Sequence, residues 1–340
     1  MQRTAHALAT IAALALAACT TPSFSSDIAS GPTPWTHTKF DDADDDFTFA
    51  IVSDLESGYR PGVFDVAIAE LKLLRPAFIL TVGDMIDGGT EDVPDLQRQW
   101  TAFDTLLEGS PAPFFHVAGN HDMTNTTQRA VWEQRYGARY YHFIYKDTLF
   151  LALDTEDYPQ AKMKQIYEMR ADFLKARKTD PAAAAKLPYA SLAESRTGEI
   201  SDAQSTYFET VIAANKSKVR WVVVLMHKPV YTRTDDLGLG RIERALKDTP
   251  HTILNGHLHR YSYAEKSGTD YIMLGTTGGE RDFNGARGAL DHVMMVHMGA
   301  DGPSIANLRL DGVLDKTLAI PANGAALCLD HGGPKCPPAR

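Results

Sequence analysis

Apolar residues come along this chain in short unbroken runs, each closed by glycine, a carboxylate, an amide or histidine. Residues 47–53, FILTVGD (78–84), FFHVAG (114–119), VRWVVVLMH (219–227) and HTILNGH (251–257) are such runs. Runs so short and so apolar predict strands buried on both faces. Between them the period changes. Phe64, Ala67, Ile68, Leu71 and Leu74 recur at helical spacing over 63–75, and Pro76 ends that helix. Further helices are predicted around 95–108 and over 127–137. YYHFIYKDTLFLALD (140–154) reads as a hairpin turning at Lys146-Asp147. Ser201-Asp202-Ala203-Gln204 has the form of a capping box, opening a helix whose Tyr207, Phe208, Val211 and Ile212 share a face. Short β segments follow from 260 to about 318. Repeated βα units early and β-rich segments late predict an α/β domain with two packed sheets.

Outside that pattern lie three stretches. Residues 158–200 are charged and alanine-rich, and read as one or two surface helices that either cover the active face or form a peripheral excursion. Residues 20–46 are rich in Ser, Thr, Pro and Asp and end in DDADDD, the composition of a solvated tether. The first 18 residues hold Arg3 and then an apolar run too short to span a bilayer, which is the form of a secretory signal. Its end, Leu16-Ala17-Ala18-Cys19, resembles the lipobox of bacterial lipoproteins. By that resemblance cleavage precedes Cys19, the cysteine carries lipid, and the chain is membrane-anchored. Thr20 after the cysteine, in place of aspartate, implies the outer membrane, facing the periplasm. The domain division expected is 1–18 signal, 19–46 lipidated cysteine and tether, 47–320 folded domain, and 321–340 tail. The chain of 340 residues has a formal net charge of −9, so broad nucleic-acid binding is not expected.

The chemistry sits where the runs stop. The first ends in Asp54 with Glu56 just beyond, the second in Gly83-Asp84, and the third in Gly119-Asn120-His121-Asp122. The fourth ends in His227, and the fifth in Asn255-Gly256-His257-Leu258-His259. Ligands of α/β sheets bind beyond the carboxyl ends of the strands, so these five ends are expected to converge. Oxygen and imidazole donors without thiolate suit Mn, Zn or Fe. A carboxylate can bridge two such ions, which together activate a water and neutralise charge in an in-line displacement.

The ordered set SDLE, GDMID, GNHD, MHKP and GHLH resembles the calcineurin-like metallophosphoesterase superfamily over roughly residues 47–300. The resemblance implies a four-layer αββα sandwich of two mixed sheets, with two divalent or trivalent metal ions at the strand C-terminal ends. It implies that Asp54 and His259 bind one ion, that Asp84 bridges, and that Asn120, His227 and His257 complete the second site. A metal-bound hydroxide would attack phosphorus in line. His121 would be the general acid, oriented by Asp87, and Asn120 and His121 would face the substrate, while Asp122 supports the loop.

Two departures stand out. Glu56 replaces the histidine of the D-x-H pattern: it either binds metal through oxygen or points away and leaves that site weaker. Gly88 stands where many relatives carry an arginine that grips phosphate. Arg60, in SGYRPG, is a candidate substitute, with a solvated loop residue as the alternative. The departures favour a second reading, a catalytically weak surface-anchored binding protein on the same scaffold. His116, His142, His292 and His297 read as strand residues without a site role, and Lys228-Pro229 as a turn. Substrate, monoester or diester preference, metal identity and oligomeric state are not encoded in these motifs.

Cys328 and Cys336, in CLDHGGPKC, are expected to pair in an oxidising compartment. A variant lacking one of them is expected to change the mass observed without reductant. An unchanged mass would count against the disulfide.

Overall fold

The computed structural model describes residues 23–40, 46–56, 58–233, 238–281, 288–310 and 312–317. Cys19, Cys328 and Cys336, with the expected signal and tail, lie outside the described residues. In chain order the elements are β1 (Phe24–Ser25), β2 (Phe47–Val52), α1 (Val63–Leu74), β3 (Ile79–Thr81), α2 (Val93–Leu107) and β4 (Phe114–Phe115). Next come α3 (Thr126–Tyr136), β5 (Tyr141–Tyr145), β6 (Thr148–Ala152), α4 (Gln160–Thr179), α5 (Pro181–Ala184), α6 (Pro188–Ser191) and α7 (Ala193–Thr197). Then follow α8 (Asp202–Asn215), β7 (Trp221–Leu225), α9 (Leu239–Ala245), β8 (His251–Asn255), β9 (Ser262–Lys266) and β10 (Thr269–Met273). The last three are β11 (His292–Gly299), β12 (Gly302–Arg309) and β13 (Gly312–Asp315).

Two mixed sheets face each other. One runs β1-β5-β6-β7-β8-β10-β9 and the other β13-β12-β11-β2-β3-β4. The central strands are apolar throughout because both of their faces are covered. In β2, Phe49 and Ile51 enter the core between the sheets, whereas Ala50 and Val52 pack beneath the helices. In β7, Val223 and Leu225 face the other sheet, and Val222 and Val224 face the outer helices. Helices α1, α2 and α3 cover one sheet and α8 and α9 the other, which completes the four-layer αββα sandwich. Its centre is aromatic. Phe78 stacks on Phe49 at 5.3 Å and meets Phe150 edge-on at 5.4 Å. Removing such a ring typically costs about 3–5 kcal/mol. Among the described residues, no helix is long and apolar enough to cross a membrane.

The tether expectation needs correction between 23 and 40. Strand β1 pairs antiparallel with β5. Phe24 contacts Trp35 and Phe143, Phe40 contacts Tyr145, and Trp35 is buried. Three aromatic rings in a Ser/Thr/Pro stretch remove enough apolar surface from water to hold it down, at about 25 cal/mol per Å². The capping box is also rearranged. Ser201 Oγ accepts from Gln204 N at 3.2 Å, but the Gln204 side chain spans to the backbone of Asp154. The Asp157 carboxylate accepts from Ser201 N in its place.

His116 is buried at 1 % exposure against Tyr136, Phe114, Phe103, Trp100 and Trp132. Burial, with the Arg135 charge adding, pushes its imidazole down to about 3. The unfolded chain takes up that proton near about 6.5, so His116 favours the fold above that pH. The contribution is lost as pH falls from about 6.5 towards 3, by up to about 1.4 kcal/mol per pH unit. His116→Phe is therefore expected to narrow the difference in urea midpoint between pH 7 and pH 5. Equal differences in variant and parent would exclude His116 as the group responsible.

Candidate metal centre

The parallel pairing aligns the strand ends. Val52 lies beside Thr81, and Leu225 beside Leu254. Immediately beyond, the backbone turns through unusual angles: Asp54, Asp84, His257 and His259 all have φ between 47° and 80°. Left-handed backbone at residues other than glycine costs energy and gathers at functional sites. Here it turns the donor groups at the strand ends inward.

Two clusters result. Asp84, His227 and His257 place one ligand atom each within 4.8 Å of one another, and so do Asp54, Asp84 and His259. Asp84 belongs to both. Its Oδ2 lies 3.1 Å from His227 Nε2, and Asp54 Oδ1 lies 3.3 Å from His259 Nε2. Asn120 Oδ1 stands 3.2 Å from His227 Nε2. The carboxylates are fully buried, and glycines make room for them. A Cβ at Gly119 would meet Asp84 Oδ1 at 2.1 Å, and one at Gly256 would meet Asp54 Oδ2 at 2.4 Å.

Backbone carbonyls fix the imidazoles, since a carbonyl only accepts. His227 donates Nδ1–H to Val82 (2.8 Å), His257 donates Nε2–H to Ser195 (3.0 Å), and His259 donates Nδ1–H to Glu280. The remaining nitrogen of each ring faces its cluster, the arrangement that metal-ligating histidines use. The field also favours cations. Burial opposes charge on His227 and His259, yet Asp84 and Asp54 outweigh it and hold both imidazoles up at about 9. Burial likewise opposes charge on Asp84, but His227 and His121 keep it well below the usual carboxylate range. A nitrogen and oxygen donor set in so negative a setting fits a pair of divalent ions.

Asp122, wholly buried, ties the second and third loops together. It accepts from Asp84 N (2.8 Å), Met85 N (2.9 Å), Ile86 N (3.2 Å) and Gly119 N (2.8 Å). Burial and the Asp84 charge push its carboxyl up to about 7, against the amide donors. The His121 amide donates to Asp84 Oδ1 at 2.7 Å, which places its ring beside the clusters.

Three further candidates, Asp87, Arg60 and Glu56, lie outside both clusters. Asp87 orients His121 through its carbonyl, which accepts from Nδ1 at 2.7 Å, while its carboxylate is 70 % exposed and 3.8 Å away. Arg60 is not a free phosphate grip. Its guanidinium is paired with Asp291 and donates to the Gly279 carbonyl, so it ties the first loop to the turn before β11. Glu56 stands in neither cluster. Burial first, then the charges of Asp87, Asp122 and Asp84, push its carboxyl up to about 7.

The 158–200 segment does cover this face. Tyr167 Oη donates to the Gly89 carbonyl at 3.3 Å, and Arg170 Nη2 stands 3.4 Å from His121 Nε2. Buried Lys228 anchors the segment, pairing with Glu156 at 2.6 Å and donating to the Glu194 carbonyl at 3.0 Å. Nothing in residue type marked Arg170 or Ser195; only the segment's position as an insertion pointed there.

Comparison with known proteins agrees with this geometry. The family model for calcineurin-like phosphoesterase matches residues 47–261. No curated protein matches the chain. Among solved structures, a dimetal phosphatase from Danio rerio is similar at TM-score 0.56 and 15 % identity, covering 80 % of this chain and 99 % of that one. GAP50, the anchor in the inner membrane complex of Plasmodium, is similar at TM-score 0.53 and 13 % identity, covering 78 % and 85 %. The purple acid phosphatase PPD1 from yellow lupin (Lupinus luteus) is similar at 0.53 and 12 %, covering 79 % of this chain and 53 % of that one. At such identities the likeness is one of fold, and with the family match over residues 47–261 this chain belongs to the calcineurin-like phosphoesterase family.

Proposed function

We propose that the protein hydrolyses a phosphate ester with the help of two divalent ions. The observation that carries this is the buried Asp84 carboxylate shared by two ligand clusters. Asp54 and His259 would hold one ion, Asn120, His227 and His257 the other, and Asp84 both. Bound there, the ions supply an activated water and neutralise charge on the phosphoryl group. His121 is the proton donor to the leaving oxygen. With Nδ1–H fixed on the Asp87 carbonyl, Nε2 is the atom that carries the transferred proton. Asp122 sets the loop geometry, so that Asp84 and His121 keep their spacing. The proposal extends to place: a lipid on Cys19 would hold the enzyme on the outer membrane, facing the periplasm, where a pairing of Cys328 with Cys336 also belongs.

Glu56, outside both clusters, favours a second reading, in which the site with Asp54 and His259 fills weakly and the scaffold serves binding. The fold neighbour described as an anchor is consistent with that use of the scaffold. Elemental analysis separates the two: two ions per chain support hydrolysis, and one or none supports the weaker site.

His121→Ala is expected to lower kcat on an aryl phosphomonoester or phosphodiester by about 10²–10⁴-fold with metal content unchanged. Turnover equal to the parent would remove His121 from its role. Absence of hydrolysis by the parent across Mn, Zn, Fe and Ca would sink the proposal. Asp84→Asn is expected to reduce bound metal to one ion or fewer per chain, read by the same elemental analysis.

A further inference from the structure

The loop after Asp87 has no side chain to offer a phosphate. Gly88 has φ +58°, and a Cβ there would lie 1.9 Å from the His121 carbonyl oxygen and 2.4 Å from Gln128 Nε2. Gly89 follows with φ +68°, and its open side faces Arg170: a Cβ there would stand 3.5 Å from Arg170 Nη1. The backbone forbids an arginine at 88, and a guanidinium from another element stands beside Gly89.

Helix α4 delivers it. Met163 and Ile166 are buried in a cluster with Tyr158, which fixes the rotation of the helix. Arg170 follows Ile166 by four residues and so shares its inward side. Tyr167, between them, donates to the Gly89 carbonyl. Arg170 Nη2 then stands 3.4 Å from His121 Nε2, long for a hydrogen bond. Among the described residues, no carboxylate lies within ion-pair distance of Arg170. A half-buried guanidinium with no carboxylate partner loses solvation that only an anion restores.

We propose that Arg170 binds the non-bridging oxygens of the substrate phosphate, so that the 158–200 segment supplies the grip that the Gly88-Gly89 loop lacks. This rests on the phosphoester reading above. The planar fork of donors matches phosphate bidentately. Its place beside His121 sets the ester oxygen against the proton donor.

The test uses manganese-loaded protein: the parent, Arg170→Ala, Arg170→Lys, and Lys164→Ala, an exposed position on the same helix. Each is titrated with inorganic phosphate by calorimetry, and KM and kcat are measured on an aryl phosphomonoester and an aryl phosphodiester. Arg170→Ala is expected to weaken phosphate binding about ten- to hundred-fold and to raise KM, with metal content and thermal midpoint unchanged. Arg170→Lys recovers part of the loss, because it keeps the charge and loses the fork. Lys164→Ala matches the parent. Phosphate affinity and KM in Arg170→Ala within about two-fold of the parent would overturn the assignment. Should Arg170→Ala not fold, Arg170→Gln decides on the same criterion. A parent that binds phosphate through Arg170 without turnover in Mn, Zn, Fe or Ca supports this grip and sinks the hydrolytic reading. Turnover with phosphate binding indifferent to Arg170 sinks the grip alone.

Discussion

Asp122 is a carboxylate without exposure to solvent that accepts from four backbone N–H groups on two different loops. The loops follow β3 and β4, and each carries metal-facing groups at its tip. Leaving a buried donor unpaired costs about 1–3 kcal/mol, so this one side chain decides whether the two loops can lie together. Their approach is close enough that a Cβ at Gly83 would meet the Gly119 nitrogen and His227 Nδ1, both at 2.7 Å. Asp84, Asn120 and His121 inherit their positions from that contact.

A second constraint acts on the rings. The backbone, and not another side chain, sets the protonated nitrogen of His227, His257, His259 and His121. The carbonyls of Val82, Glu280 and Asp87 belong to strand ends or the turns near them, so ring orientation follows from the sheet itself. Precision at the site is therefore a property of the sandwich more than of local side-chain packing.

This explains which parts were legible in the sequence. Strands covered on both faces must be apolar throughout, so β2, β7 and β8 announce themselves, and the polar residue that ends each run marks the site. Helical periodicity gave α1 to within a residue of its ends. The atom by which Asp87 meets His121 was not legible, because it is a carbonyl, which every residue carries. Arg60 was misjudged because Asp291, its partner, lies 231 residues away. Glu56 was open because its acidic neighbours come from two other loops. The stretch from 23 to 40 looked like a tether because its three aromatic rings are spaced without period. Arg170 had no signal, since a lone arginine in a charged helix is ordinary.

The Ser195 carbonyl that receives His257 Nε2–H belongs to the short helix α7, within the segment that covers the site. Binding of an ion through His257 and docking of that segment would therefore be linked. By linkage, whatever free energy the docked segment adds to ion binding, the bound ion returns to docking. The cover and the cation would then act as cooperative ligands of one another, with His257 as the residue they share.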